Sequence, residues 1–262
     1  MALYGTVFGA ALGNIPANRI GRKKTLFWIG ILFLVTSVGA ALAQDVYTFM
    51  VFRFLSGLSI GASSVVAPVY ISEIAPPKYR GRMVISFQLN VVAGILLAYF
   101  SNYLLQGLGG DNDWRWMLGI LVIPSVIFTI MVFGIPESPR WLIIQKNDIL
   151  NATKIFKEMG VKDANQEIDL ILNGQISDNL RNPIHTFFIK KHNRILWLAF
   201  FIAFFNQLSG INFILYYAPE ILSKIGIGEK DSLLNSISIG GTNLIFTFVG
   251  LYLIDIIVRK KL

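Results

Sequence analysis

Apolar residues fall into seven runs along this chain, at 2–17, 26–43, 48–71, 84–106, 116–135, 195–218 and 233–254. A helix needs about 20 residues to cross about 30 Å of hydrocarbon, and most of the runs have that length. The pattern predicts an all-α membrane protein with about seven transmembrane helices. The first run has a competing reading as a secretory leader. It lacks a basic stretch before it, carries Gly5, Gly9 and Gly13, and runs into a strongly basic loop instead of a cleavage site, so a membrane span is preferred.

Polar segments between the runs differ sharply in charge. Of 23 lysines and arginines, 19 lie in segments 18–25, 72–83, 136–194 and 255–262, which alternate with segments holding only Arg115, Lys224 and Lys230; Arg53 lies inside a run. Cytoplasmic loops retain Lys and Arg while translocated loops lose them. The basic segments, including the long one, are therefore expected to face the cytoplasm at the cell membrane. The net charge of +8 follows from this sorting. It calls for anionic lipid headgroups as partners and not for nucleic acid. The absence of cysteine excludes disulfides and thiolate metal sites. The only histidines, His185 and His192, sit in the long loop, so neither a metal nor a cofactor is expected.

Three regions follow from the spacing of runs. Residues 1–135 hold five spans, 136–194 form the long loop, and 195–262 hold two further spans. Within the loop, Ile149, Leu150, Ala152, Ile155, Phe156 and Met159 recur at helical spacing among Lys154, Lys157 and Glu158. Ile168, Leu170, Ile171 and Leu172 suggest a second short helix, and Phe187, Phe188 and Ile189 precede Lys190 and Lys191. Amphipathic helices lying on the membrane face are expected here. Gly13-x4-Asn18-x2-Gly21-Arg22-Lys23-Lys24 also resembles Gly250-x4-Asp255-x2-Val258-Arg259-Lys260-Lys261. Six spans separate the copies, which gives them the same orientation and suggests two parallel half-bundles.

Four blocks carry a sharper signal: RFLSG at 53–57, PVYISEIAPPKYRGR at 68–82, PESPRWL at 136–142 and NQLSGIN at 206–212. Together they resemble the sugar porter family of the major facilitator superfamily. The resemblance covers essentially the whole chain, from that family's second helix to its eighth. It implies a helical bundle of major facilitator type, incomplete in this chain, and transport of a hexose or pentose, not enzymatic activity.

Read for charge alone, Glu73, Arg80, Arg82, Glu137 and Arg140 cluster at cytoplasmic helix ends. Partly desolvated pairs of this kind can hold helix bundles together and separate when they rock apart; plain anchoring of helix ends is the alternative. The resemblance favours a cytoplasmic charge latch of Arg22, Glu73, Arg80, Arg82, Glu137, Arg140 and Asp255.

The candidate substrate site rests on depth. Asn206 and Gln207 lie at the middle of the sixth run, and Asn243 at the middle of the seventh. Amides at the bilayer centre are costly unless they find partners or line a wet cavity. Having both donor and acceptor, they suit the vicinal hydroxyls of a neutral sugar; interhelical bonding as packing glue is the alternative. The resemblance adds Gln88 and Asn212 to the substrate-binding set of Asn206, Gln207 and Asn243, and implies an extracellular gate at Tyr216 and Tyr217. Gly210 is expected to let its helix break. Arg53 matches an arginine that, in proton-coupled members, pairs with an aspartate of the family's first helix. Symport and facilitated diffusion both stay open, with symport favoured and the proton as a further partner.

Departures from the family pattern are Asn206-Gln207 for paired glutamines, Asn18 for an aspartate, and Ile256 and Val258 for an arginine and a glycine. The family's first helix and its ninth to twelfth have no counterpart here. A second reading is therefore a membrane fragment of a sugar transporter without transport of its own.

Overall fold

The structure, a computed structural model, describes all residues except 77–79, 162, 180–192, 227 and 258–262, together with the side chains of all described residues but 80, 111, 175–179, 193–195, 229, 230 and 253–257. Among the described residues it is helical without strands. Six helical segments are long and apolar enough to cross a membrane, one fewer than the seven runs expected.

The difference lies at the first run. It forms α1 (Ala2–Leu12) and α2 (Asn14–Ile20), joined at Gly13. Pro16 has no N–H to return to the carbonyl of Leu12, so the regular ladder lapses there. The next spans are α3 (Arg22–Leu42), α4 (Val46–Ile74) and α5 (Arg80–Leu105). Asp45 starts α4 by accepting a 2.8 Å bond from the Thr48 backbone N–H. The fifth run is interrupted into α6 (Asp113–Gly119) and α7 (Val122–Gly134). Pro124 removes one donor, and the Ile120 carbonyl accepts from the Ile123 N–H at 3.1 Å instead.

Two of the three expected surface helices lie among the described residues. After α8 (Pro139–Trp141) and a π turn (Leu142–Lys146) come α9 (Ile149–Glu158) and α10 (Ala164–Asn179). The third, at Phe187–Lys191, lies outside them. The last two runs form α11 (Asn193–Leu208) with α12 (Ile211–Lys224), and α13 (Glu229–Ile257).

The chain divides into two compact units, 1–91 with 104–168, and 92–103 with 169–262. In this division α8, α9 and the start of α10 cluster with the first unit, and the middle of α5 with the second.

In the first unit, α1 lies against α4 with almost no side chain between them. A Cβ placed on Gly5 or Gly9 would run into the carbonyls of Phe54 or Leu58, and one on Gly57 or Gly61 into those of Ala2 or Thr6. Small residues at such spacing let backbones touch where lipid offers no hydrophobic drive for association. The same inversion of polarity appears on α7. Ser125, Thr129 and Val132 are buried, while Ile123, Ile127, Ile130 and Met131 are exposed. Two buried threonine hydroxyls are satisfied locally: Thr129 donates to the Ser125 carbonyl at 2.8 Å, and Thr25 to that of Gly21 at 2.7 Å. The largest apolar cluster gathers Ala17, Leu26, Ile29, Ala62, Val66, Tyr70 and Val132.

In the second unit, Pro219 interrupts α12 and leaves the Leu215 carbonyl without its i+4 donor. The Tyr99 hydroxyl of α5 donates to that oxygen. Gly240 of α13 sits so near α5 that a Cβ there would be 3.3 Å from the Leu96 Cα.

Candidate functional site

Two groups of polar residues stand out, one at the basic helix ends and one along the spans. The first begins with Gly21, whose φ of +100° and nearness to Glu137 both exclude a side chain. It frees the start of α3, where the Arg22 and Lys23 backbone N–H groups donate to Glu137 Oε1 at 2.9 and 3.0 Å. Ser138 N–H donates to the same oxygen at 2.9 Å. Glu137 thus caps α3 from a distant loop, where a helix N-terminus favours negative charge.

Arg22 then reaches Glu73 at the end of α4 with two parallel bonds, Nε to Oε2 at 2.9 Å and Nη2 to Oε1 at 3.0 Å. Its Nη1 donates to the Ala17 carbonyl at 3.1 Å. Both side chains are nearly out of solvent, at 12% and 8% exposure. Bidentate geometry and a third acceptor are what a desolvated pair requires to be favourable. Ser138 Oγ donates to Glu73 at 2.7 Å and accepts from the Trp141 N–H, and Trp141 Nε1 donates to the Asn18 carbonyl at 2.8 Å. The Tyr70 hydroxyl donates to the Pro136 carbonyl at 2.7 Å.

Of the seven residues expected in the charge latch, Arg22, Glu73 and Glu137 meet here, all in the first unit. Arg82 and Arg140 are exposed. Arg140 makes no hydrogen bond or ion pair among the described residues. The side chains of Arg80 and Asp255 lie outside the described part. Ser138 and Trp141, not singled out from sequence, complete the network; the serine directly before Pro139 was a legible capping signal.

Along the spans, Gln88 of α5 lines a cavity of about 500 Å³ together with residues of α3, α4 and α7. Ser59, Ser63, Ser64 and Ser125 add hydroxyls to its wall, and Phe33, Phe87 and Phe128 add rings. An apolar, aromatic-walled cavity with a few convergent polar groups is the usual form of a small-molecule site. The serines went unremarked in the sequence, although Ser59 and Ser63 share a helix face.

The other four amides belong to the second unit. Gly210, at φ +74°, breaks the sixth run between α11 and α12 as expected. Across that break Asn212 Nδ2 donates to Gln207 Oε1 at 2.9 Å. This bond uses neither the Gln207 amide N–H groups nor the Asn212 oxygen. Asn206, Gln207 and Asn212 are exposed, and Asn243 is half-buried on α13, which packs on α12. Tyr216 and Tyr217 are exposed on α12, with the Tyr217 ring 5.2 Å from that of Phe213. Arg53 of α4 lies 5.9 Å from the Phe49 ring, which itself meets Trp114 edge-on at 5.5 Å. No group of three or more metal-ligating side chains occurs among the described residues.

Comparison with known proteins gives these sites a context. The family model described as "Sugar (and other) transporter" matches residues 1–262. The chain is 36% identical to the glucose transporter GlcP of Staphylococcus epidermidis, over 99% of this chain and 57% of that protein. It is 34% identical to the arabinose-proton symporter of Bacillus subtilis, again over 99% and 57%. In three dimensions it resembles the xylose transporter XylE from E. coli in a partially occluded inward open conformation. The TM-score is 0.83 at 29% identity, over 97% of this chain and 60% of that one. The chain therefore spans a little over half the length of the relatives it matches.

Proposed function

The chain belongs to the sugar (and other) transporter family, and on that footing we propose that it carries a monosaccharide, a hexose or pentose, across the membrane by alternating access. The observation that supports this most is the Gln88 cavity. It sets the Gln88 amide and the Ser63 hydroxyl on a largely apolar wall with three aromatic rings and no charged side chain, while Ser59, Ser64 and Ser125 donate to carbonyls one turn back. A neutral polyol fits such a wall, and an ionic substrate would leave its charge without a partner. Gln207 and Asn212, joined across the break at Gly210, present a second set of donors and acceptors with Asn206 and Asn243. Tyr216 and Tyr217 then act as the outer gate.

The basic helix ends face the cytoplasm, as the bias in Lys and Arg supports. Residues 1–135 belong to one half-bundle, 136–194 to the cytoplasmic loop and 195–262 to the second half-bundle. Arg22, Glu73 and Glu137 hold the cytoplasmic ends of the first half in register, with Arg80, Arg82, Arg140 and Asp255 as the outer members of the latch. Arg53 is the mid-span cation available for proton coupling; relatives named as proton symporters favour symport over facilitated diffusion.

Binding and uptake of D-glucose, D-xylose and L-arabinose test the reading. Purified protein should bind at least one of them in a saturable way, and proteoliposomes should accumulate it faster when the outside is made acidic. No binding of any neutral monosaccharide, with retained helicity, would rule the proposal out.

A further inference from the structure

A groove of about 890 Å³ lies at the basic end of the first unit, between the start of α3, the end of α7 and the α8–π turn. Its wall is unlike that of the Gln88 cavity. Lys23, Lys24 and Lys146 stand on it beside Trp28, Phe133 and Trp141. Lys24 and Trp28 are four residues apart and share one face of α3. Both are exposed, Trp28 by 61%. Lys23 Nζ reaches from α3 to the Phe133 carbonyl of α7 at 2.9 Å, and the Lys146 ammonium lies 5.7 Å from the Trp141 ring centroid.

Two carboxylates share the groove, and both are engaged. Glu137 accepts three backbone N–H groups through one oxygen. Asp148 starts α9 by accepting from the Asn151 backbone and side chain at 3.1 and 2.7 Å. Lys24 is left without an acceptor among the described residues. The groove therefore offers one ammonium with no acceptor, a second held only by a ring face, and an exposed aromatic floor at the ends of two membrane spans.

We propose that this groove is a binding site for the headgroup of an anionic phospholipid. Lys24 and Lys146 take the phosphate oxygens, and Trp28 and Phe133 take the glycerol and upper acyl region. Basic pockets between helix ends attract anionic headgroups, and tryptophan is at home where headgroup meets hydrocarbon. A soluble phosphate would satisfy the lysines but leave Trp28 and Phe133 wet. That is the physical reason to choose a lipid as occupant.

The test uses the whole chain in lipid nanodiscs, with phosphatidylglycerol carrying a bromine-labelled acyl chain competing against phosphatidylcholine. With Trp114, Trp116 and Trp197 replaced by Phe, quenching of tryptophan fluorescence reports the lipid next to Trp28 and Trp141, the two tryptophans on the groove. Preference for phosphatidylglycerol should fall about fivefold for each lysine removed in Lys24→Gln and Lys146→Gln, and Lys24→Arg should retain it. Lys154→Gln with Lys157→Gln, exposed on α9, should leave it unchanged. An unchanged preference in the Lys24→Gln, Lys146→Gln double variant would overturn the site. So would an equal fall in the α9 variant, which would mean general surface charge. Competition by soluble glycerol phosphate at the strength of the lipid would also overturn it.

Discussion

Arg22 and Glu73, 51 residues apart, meet through two parallel hydrogen bonds of 2.9 and 3.0 Å, almost sealed from solvent. The pair ties the start of α3 to the end of α4, and both residues belong to one compact unit. A half-broken pair of this kind is worse than none, because the surviving charge stays buried without a counter-charge.

Glu73→Gln should accordingly lower the stability of the first unit by about 3 kcal/mol. Ser138→Ala, which removes one hydrogen bond to the same carboxylate, should cost about 1 kcal/mol. Thermal unfolding in detergent, followed by helical circular dichroism, would rank them. Equal effects would argue that the ion pair is not the stronger element.

Gly57→Val or Gly61→Val should part α1 from α4, since each new side chain meets a backbone carbonyl. Gly81→Ala is the control, with nothing within 4 Å of its Cβ. Cysteine cross-linking between the two helices should fail in the valine variants and persist in the control.

Gln207→Ala should weaken monosaccharide binding by about 1–3 kcal/mol, the cost of leaving a bound sugar hydroxyl without its polar partner. Gln88→Ala should do the same from the cavity it lines. Glu73→Gln should leave affinity unchanged in protein that remains folded. Titration calorimetry on the three variants separates binding residues from helix-end residues.

Gly210→Ala forces a side chain into left-handed backbone at φ +74°. The strain should be about 1–2 kcal/mol, and relief comes by moving the break between α11 and α12. Sugar affinity should then fall with Asn212 pulled away from Gln207. A variant that binds as well as the parent would show that this hydrogen bond does not shape the site.

Asp45 supplies a pH-dependent element. Hydrogen bonds from the Thr48 side chain and backbone hold its carboxyl below the ordinary aspartate value. Its contribution to the start of α4 is therefore present above that ordinary value of about 3.9 and lost as pH falls through the lower, folded one. The protection factor of the Thr48 amide, its exchange rate corrected for the intrinsic pH dependence of amide exchange, should fall through that acid range, and in Asp45→Asn it should stay constant there.

Much of the fold was legible because a membrane span writes itself as a long apolar run. Six of the seven runs became spanning helices with ends a few residues from those expected. What escaped was set by single donors: Pro16 shortened the first helix, and Pro124 split the fifth run, without changing its hydropathy. The break at Gly210 was visible because glycine beside midspan amides has few other uses. The charge cluster was visible as a list but not as a structure. Glu73, Glu137 and Arg22 were recognisable as partners of opposite sign, yet nothing in the spacing says that Glu137 binds backbone N–H groups and leaves Arg22 to Glu73. Ser138 and Trp141 were overlooked for the same reason: their role depends on what a distant turn brings within 3 Å.

The contact of α1 with α4 has a genetic corollary. Every base change that alters a glycine codon installs a side chain or ends translation, so none of the missense neighbours of Gly5, Gly9, Gly57 or Gly61 keeps the bare Cα–H that faces a carbonyl across this seam. These four codons have no conservative replacement to drift through. Mutational scanning of residues 1–61 should find them silent only to synonymous change, while the lipid-facing positions between them accept almost any apolar residue.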